Sequence, residues 1–512
     1  MAPTEVKTIW SLQSAVALVS LCLLAVIVGG YALGKPIDHD EHQFIAGGAL
    51  LAREGILPYL DYPYFHLPNL TFLYGLVFLI SPYLLLSARL LSTVASVGTG
   101  AVLLAFAYLK LRHYGAWWQI GAGVLALLAL ALNPVFQYTT GLAWNHDVPT
   151  FFFLLGLGLG AAQTGRAKRT WLMILSGLCL GIAAGSRATY LLALPFAVAF
   201  LVAEAAHGDW RGRLCSLLIG AGIGLMPSVL FFLIDPKAFL FGNIGYAGLN
   251  TLFRADRGLE IAMDLRGKLV YFARLLSEPA YLLVALLAGI LLLLLTAPRR
   301  GPVPIRWRAF ALAAVPLALL VGGLLPTPSW PAYFYAPIPL TIFFVLWALP
   351  PVLDVRPRAV KPVLVLCLTL LAAAGLGSIR SGSFLPAFPE GLVPLRTHWI
   401  GERVGVGAGT AVVVTDSPIF PLEGGARIEP FLATGPFAIR VSYLLSPEDR
   451  ARFHILDPEA IEKKVRERGN IAVLGSKGGL GLGQMAEELG FRAVEVGADF
   501  RLWVPQAAET SP

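Results

Sequence analysis

Apolar residues along this chain come in blocks of about 20, without the alternation that leaves one face polar. Such blocks fit helices that are apolar all round, at the length that crosses about 30 Å of hydrocarbon. The blocks are residues 9–34, 84–109, 118–138, 147–163, 171–186, 189–206, 214–235, 279–296, 309–326, 333–349 and 362–379. The first follows a short tail with Lys7 and is too long for a signal peptide, so it reads as an uncleaved span. A further apolar segment, 69–80, stops at Ser81-Pro82 and is too short to cross; it reads as a helix lying in the interface or dipping in and out.

Loop charges orient these spans. With the N-terminus inside, the basic loops Lys110/Arg112, Arg166/Lys168/Arg169, Arg211/Arg213, Arg299/Arg300/Arg306/Arg308 and Arg356/Arg358/Lys361 all fall on the cytoplasmic face, as the positive-inside rule requires. Treating 69–80 as a span would put them all on the wrong side. The outer pieces are then a first loop at 35–83, a later loop at 236–278, and everything after 379. Both long loops carry apolar residues at helical spacing and read as helices lying flat on the bilayer.

The last 133 residues change character. Segments 411–415, 471–475 and 500–504 read as strands; 457–468, with Asp457 as N-cap and Pro458 at its first position, and 484–489 read as helices. The expected fold is therefore an all-α polytopic membrane protein of about 11 transmembrane helices, with interfacial helices in the first outer loop, plus a small C-terminal extracytoplasmic α/β domain. The domain boundary is placed between 379 and 380. The expected location is an integral membrane protein of a bacterial inner membrane.

Composition sharpens this. The chain is 57% hydrophobic and 14% charged, with a mean hydropathy of +0.71. A soluble protein is about 25% charged, so a disordered chain, a coiled coil and a cytosolic enzyme are excluded. The net charge of +8 suits nucleic acid or an anionic membrane surface. The basic residues sit in short loops between apolar blocks, which selects the membrane and membrane lipids as partners, with no nucleic acid. Cys22, Cys179, Cys215 and Cys367 all fall in apolar blocks, without pairing or metal spacing.

The polar chemistry gathers in the outer loops. The first reads Asp38-His39-Asp40-Glu41-His42-Gln43, then Arg53-Glu54-Gly55, Pro58-Tyr59-Leu60-Asp61-Tyr62 and Phe65-His66-Leu67-Pro68-Asn69; the next reads Trp144-Asn145-His146-Asp147-Val148-Pro149. By parity both face one compartment. A carboxylate there can take a proton from an attacking hydroxyl; others can hold a cation or orient sugar hydroxyls. Arg187, in Gly185-Ser186-Arg187-Ala188-Thr189 between two apolar blocks, is either a snorkelling interface arginine or a clamp for a lipid phosphate. Arg254, Arg257, Arg266 and Lys268 are placed to assist it, or are surface charges. The glycine-rich stretch 475–483 lacks the Gly-Lys-Ser/Thr ending of a P-loop and reads as a strand-to-helix connection.

Asp40-Glu41-His42-Gln43, Leu51-Ala-Arg-Glu-Gly55, Pro58-Tyr59-Leu60-Asp61 and His66-Leu67-Pro68 together resemble the first outer loop of GT-C superfamily membrane glycosyltransferases, in the branch of protein O-mannosyltransferases and the lipid A aminoarabinose transferase. Asn133-Pro134 with Asn145-His146-Asp147 is similar to that family's second acidic loop, Gly181 to Tyr190 to its Gly-rich span end, with Arg187 where many members carry Lys, and Tyr333-Phe-Tyr-Ala-Pro-Ile-Pro339 to a late span. The resemblance is good over the first roughly 240 residues and loose beyond. It departs at Leu67-Pro68, where Pro-Pro is usual.

The resemblance implies transfer of a hexosyl or pentosyl group from a polyprenyl-phosphate donor to an acceptor hydroxyl, on the extracytoplasmic face and with inversion. It implies Asp40 as base, Glu41 and Asp147 as groups that position substrate or hold a cation, and Arg187 on the donor phosphate. Asp61, His66 and His146 are further substrate-binding candidates. No cofactor is required, and a divalent cation stays open. The acceptor class (lipid, glycan or protein) also stays open. The reading from another class is a transporter or flippase of a lipid-linked or small substrate; it expects midplane binding groups and repeated halves, and the sequence has neither.

Overall fold

The computed structural model describes residues 3–162, 170–204, 210–259, 263–296, 304–355, 360–380, 391–476 and 481–505. The basic loops at 166–169, 299–300 and 356–358, and the middle of the glycine-rich stretch at 477–480, lie outside the described residues.

The chain opens with α1 (Pro3–Gly34), α2 (His39–Glu54), α3 (Asn69–Phe78) and α4 (Leu84–Lys110). It continues with α5 (Ala116–Ala131), α6 (Pro134–Thr139), α7 (Asp147–Ala161), α8 (Thr170–Ser186), α9 (Thr189–Ala203) and α10 (Trp210–Ile234). Then come α11 (Pro236–Leu240), α12 (Tyr246–Asp256), α13 (Leu265–Ser277), α14 (Pro279–Thr296), α15 (Pro304–Leu324), α16 (Pro337–Val355) and α17 (Val360–Arg380). Each block expected to span is helical over most of its described length. Among the described residues, 6 helices are, by length and composition, long and apolar enough to cross a membrane. The block 118–138 is broken: α5 stops, and the Asn133 side chain accepts the Val135 N–H (3.0 Å) to start α6 behind Pro134.

Close approach of helices follows small residues. A Cβ on Gly177 or Gly181 of α8 would collide with backbone of Leu217 or Ala221 on α10, and one on Gly220 or Gly224 of α10 would collide with the backbone of α8. Glycines four apart on both partners let the two backbones meet, as in packing between membrane helices.

The first outer loop folds into α2 and α3. Asp38 caps α2 by accepting the Asp40 N–H (2.9 Å), Glu41 accepts the Asp38 N–H (3.0 Å), and Gly55 ends the helix at φ 69°. A helix lying flat on the bilayer would bury one face only. Instead every residue from Glu41 to Leu50 is buried, because α3 packs on one side of α2 and the C-terminal region covers the other.

The C-terminal region holds α18 (Val393–Ala408), β1 (Val412–Thr415), α19 (Ile419–Glu423), α20 (Pro436–Val441), α21 (Pro447–Arg452), α22 (Pro458–Glu467), β2 (Ile471–Ser476), α23 (Leu482–Glu488), β3 (Arg492–Gly497) and β4 (Phe500–Val504). The sheet order is β1-β2-β4-β3, with β1 and β2 parallel and the rest antiparallel. Asp457 caps α22 as its sequence indicates. The strand β3 goes beyond the expected elements; its Arg492-Ala-Val-Glu-Val-Gly497 is an edge strand with only Val496 fully buried, so it carries little apolar signal.

This region is fastened to the first loop. Arg53 donates to the Leu422 carbonyl (2.6 Å). Glu423, buried at 4% exposure, accepts the Leu85 N–H (2.6 Å) and pairs with His398 (2.9 Å). Farther along, Phe453 stacks on Phe241 (3.9 Å) and Tyr443 donates to Asp256 (2.6 Å).

Candidate active site

The clustered acids divide into an inner group and an outer one. On a helix, consecutive residues point about 100° apart. Asp40 and Glu41 open α2, and Glu41 turns inward to 0% exposure while the Asp40 side chain stays 34% exposed.

Glu41 meets Arg89, a residue of α4 that is also fully buried. Arg89 Nε donates to Glu41 Oε1 (2.8 Å) and Nη2 to Oε2 (2.6 Å). Its remaining donors reach the carbonyls of Ala32 (2.8 Å), Lys35 (2.8 Å) and Pro36 (3.0 Å). The Ala143 N–H also donates to Glu41 (2.7 Å). Both oxygens of Glu41 are thus occupied by the protein. The sequence does show a signal for Arg89: an arginine near the end of an otherwise apolar block has to find a buried partner.

Asp147 is likewise fully buried, and accepts the Gly141 N–H (2.9 Å). Gly141 sits at φ 83°, and a Cβ there would collide with the Ala32 backbone, so only glycine fits without strain. Lys35 ties the two loops together: its ammonium donates to the carbonyls of Gln137 (2.7 Å), Tyr138 (2.9 Å) and Thr140 (2.7 Å) at the end of α6. Burial pulls the Lys35 ammonium down to about 7, while the nearby Asp147 carboxylate opposes that shift.

The outer group surrounds Asp40. Asp38, His39 and Asp40 bring three ligand-type atoms within 4.8 Å of one another, a donor set that suits a divalent cation. Asp38 spends one oxygen on the cap of α2. Burial, and then the charge of Asp40, raise the Asp38 carboxyl to about 6.

Across from Asp40 stands Arg187, between α8 and α9, within reach of the Asp40 charge. Arg187 Nη1 donates to Asn145 Oδ1 (2.8 Å) and contacts His146 Nε2 (3.1 Å); Nε donates to Thr189 Oγ1 (3.3 Å). Its guanidinium lies 5.2 Å over the Tyr333 ring. Among the described residues, all of these partners are neutral. Burial and then the Arg187 charge push His146 well below its usual range, so the ring is neutral and its Nε2 accepts. Asn145 extends the chain to His66 Nδ1 (3.3 Å), and burial holds His66 at about 4.

The structure therefore brings Asp40, His66, His146 and Arg187 together with Asn145 and Tyr333, and sets Glu41 and Asp147 behind them. Asp61 stands apart. It is exposed and accepts the Leu57 N–H (2.7 Å), closing the turn in which Tyr59 adopts φ 66°. Lys268 is also structural, donating to Leu324 O (3.0 Å) and Thr327 Oγ1 (2.8 Å). In the glycine-rich stretch, Gly475 and Gly483 pack against the Trp503 ring, which explains them without a ligand.

No protein-family model matches the chain, and no curated protein matches it by sequence. The fold does match. ArnT from Cupriavidus metallidurans, in a crystal structure bound to undecaprenyl phosphate, superposes with a TM-score of 0.59 at 14% identity, covering 100% of both chains. The apo state of that protein gives 0.60 at 16% identity, covering 99% of this chain and 100% of the other. This chain thus shares the fold of the ArnT structures along its whole length.

Proposed function

We propose that the chain is an integral membrane glycosyltransferase that moves a hexosyl or pentosyl group from a polyprenyl-phosphate donor to an acceptor hydroxyl, with inversion. The observation that carries this is the pairing of a half-open carboxylate, Asp40, with a cation, Arg187, whose described partners are all neutral. A half-buried guanidinium that is hydrogen-bonded only to neutral groups keeps its charge available, and a phosphate oxygen pair matches its fork. The ArnT fold neighbour was crystallised with undecaprenyl phosphate, the same ligand chemistry.

In this reading the donor phosphate lies on Arg187, held in place by Asn145, His146 and Tyr333. The acceptor hydroxyl attacks the anomeric carbon from the face opposite the phosphate, and its proton passes to Asp40. The bond from the anomeric carbon to the phosphate oxygen breaks as the new one forms, and polyprenyl phosphate leaves carrying the electron pair. Arg187 stabilises that developing charge. Glu41 and Asp147 act as positioning residues. His66 and neutral His146 line the sugar subsite, and Asp61 shapes the loop.

The proposed division is a catalytic membrane domain at 1–379 and an extracytoplasmic domain at 380–512. The proposed topology has eleven crossings with the N-terminus in the cytoplasm of a bacterial inner membrane. It is supported by the convergence of residues 35–42, 66, 133–147, 187, 246–254 and 333 at one end of the helices, where parity puts the outside. A reporter enzyme fused after Pro512 is expected to be active only outside the cytoplasm; a cytoplasmic signal overturns the topology.

The function itself is tested with purified protein and radiolabelled polyprenyl-phosphate sugar. Asp40→Asn is expected to cut transfer by about 10²–10⁴, the usual share of a general base, with donor binding kept. Arg187→Gln is expected to weaken donor binding. Transfer that survives both substitutions sinks the enzyme reading, and movement of donor without transfer would favour the transporter.

A further inference from the structure

A second group of cationic side chains gathers around Tyr246, and none of them bonds to the Arg187 clamp among the described residues. It forms where α12, from the later outer loop, packs on α20, from the C-terminal region. Arg254 and Tyr246 come from α12 and Arg440 from α20. The Arg440 guanidinium lies 4.4 Å over Phe437 and 5.6 Å over Phe253, and Arg254 lies 5.8 Å over Trp330. Tyr246 is stacked on Phe65 at 3.8 Å and is only 7% exposed.

These groups are not satisfied by the protein. The charges of Arg254 and Arg440 oppose each other, and among the described residues neither is paired with a carboxylate. Arg254 Nε is buried without a partner, and so is the Tyr246 hydroxyl, which faces both arginines and Asp40. The aromatic walls keep part of the guanidinium surface from water, so each unmet donor carries a desolvation cost. The set offers two guanidinium groups, which only donate, and one hydroxyl free to donate, with net positive charge. Its complement is a compact anion rich in acceptor oxygens.

We propose that Tyr246, Arg254 and Arg440 form a second phosphate-binding site, distinct from the Arg187 clamp, and that the C-terminal domain completes the site by supplying Arg440. That the phosphate belongs to a transferase substrate rests on the function proposed above; the site itself does not. The phosphate group is either that of the polyprenyl donor or that of a phosphorylated acceptor. The C-terminal domain then takes part in substrate recognition directly, through one side chain, in addition to covering α2.

The test uses the full chain in lipid nanodiscs, with inorganic phosphate and undecaprenyl phosphate as separate probes. An Arg187→Gln background removes the first clamp. In it, inorganic phosphate is expected to bind still, and Arg440→Gln to weaken that binding about tenfold, the scale of one charge-assisted hydrogen bond. Arg440→Lys should recover part of the loss, and Tyr246→Phe, which removes one oxygen atom and leaves the ring stack, should cost about threefold. If Arg440→Gln in the otherwise unaltered chain also weakens undecaprenyl phosphate, the phosphate is the donor's. If undecaprenyl phosphate is unaffected while inorganic phosphate binding falls, the phosphate is the acceptor's. Inorganic phosphate binding that stays within twofold in both Arg440→Gln and Tyr246→Phe overturns the proposal. Because none of these readouts needs turnover, a chain that binds phosphate here but transfers no sugar would sink the transferase reading and leave this site standing.

Discussion

Glu41→Gln removes one charge from a pair that has no access to water. Arg89 and Glu41 have side-chain exposures of 1% and 0%, with 2.6 Å between Nη2 and Oε2. Glu41 also accepts the Ala143 N–H (2.7 Å) and the Asp38 N–H (3.0 Å). A glutamine keeps the shape, offers one acceptor oxygen where there were two, and leaves the guanidinium uncompensated. Breaking a buried pair on one side costs about 3–5 kcal/mol, most of it the stranded charge. The expected loss is of that size, read as a shift in the unfolding free energy in mixed micelles. Replacing both members, Glu41→Gln with Arg89→Met, removes the stranded charge and is expected to recover at least half of the loss. A single variant within about 1 kcal/mol of the parent would refute the argument, since an uncompensated guanidinium at this depth cannot be that cheap. A double variant no better than the single would show that the cost lies in the loop carbonyls rather than in the charge.

Other outcomes follow from the same structure. His42, His66 and His146 have folded-state values pulled below the ordinary 6.5 by burial, His42 and His66 to about 4, so the unfolded chain binds more protons than the folded one between those limits. Each histidine therefore contributes stability that is fully present above pH 6.5 and falls as pH drops toward 4, by roughly 1 kcal/mol per pH unit, while buried carboxyls raised by desolvation, such as Asp38 and Glu423, contribute in the opposite sense. Chemical unfolding of the parent and of His42→Asn from pH 7 to pH 4 checks the sign: the parent is expected to lose more stability than the variant over this range, and equal losses refute it. Gly220→Leu places side-chain atoms against the Ile174 carbonyl of α8 and is expected to destabilise by about 1–3 kcal/mol or more, whereas Gly222→Leu, with open space at its Cβ, is expected to be close to neutral.

The sequence discloses the helices because each carries its signal locally, in a run of apolar residues long enough to need no partner. It discloses the strands 412–415 and 471–476 for the same reason, since both are largely apolar and buried. It does not disclose β3, whose residues are mostly exposed, or α18, whose apolar face makes sense only once the sheet lies behind it. Nor does it disclose how α2 is covered. The residues that bury α2, such as Ile419 and Leu422, lie more than three hundred positions away, and no local pattern reports a contact at that separation. The members of the candidate site are legible as residue types in loops: Asp40, His66, His146 and Arg187 come together as their shared compartment suggests. Arg440 is not legible, because its place depends on how the C-terminal region docks.

The division of Asp40 from Glu41 is where local geometry bears most directly on the proposed chemistry. Two acids side by side in a loop would compete for the same cation or proton. At the first turn of a helix they diverge, and each takes the environment its direction meets. Glu41 meets Arg89, and through it the carbonyls of Ala32, Lys35 and Pro36, so the end of α1, the start of α2 and the body of α4 become one rigid unit. Asp40 is carried on that unit and faces Arg187 and Tyr333 across the open site. If Asp40 is the base proposed above, a carboxylate fixed in this way gives up little conformational freedom when substrate arrives, and the benefit of orientation is largest where the reacting groups are held before binding. The buried pair is therefore poor evidence for stability on its own and better evidence for position: a fold that needed only stability would fill that space with apolar side chains of the same volume.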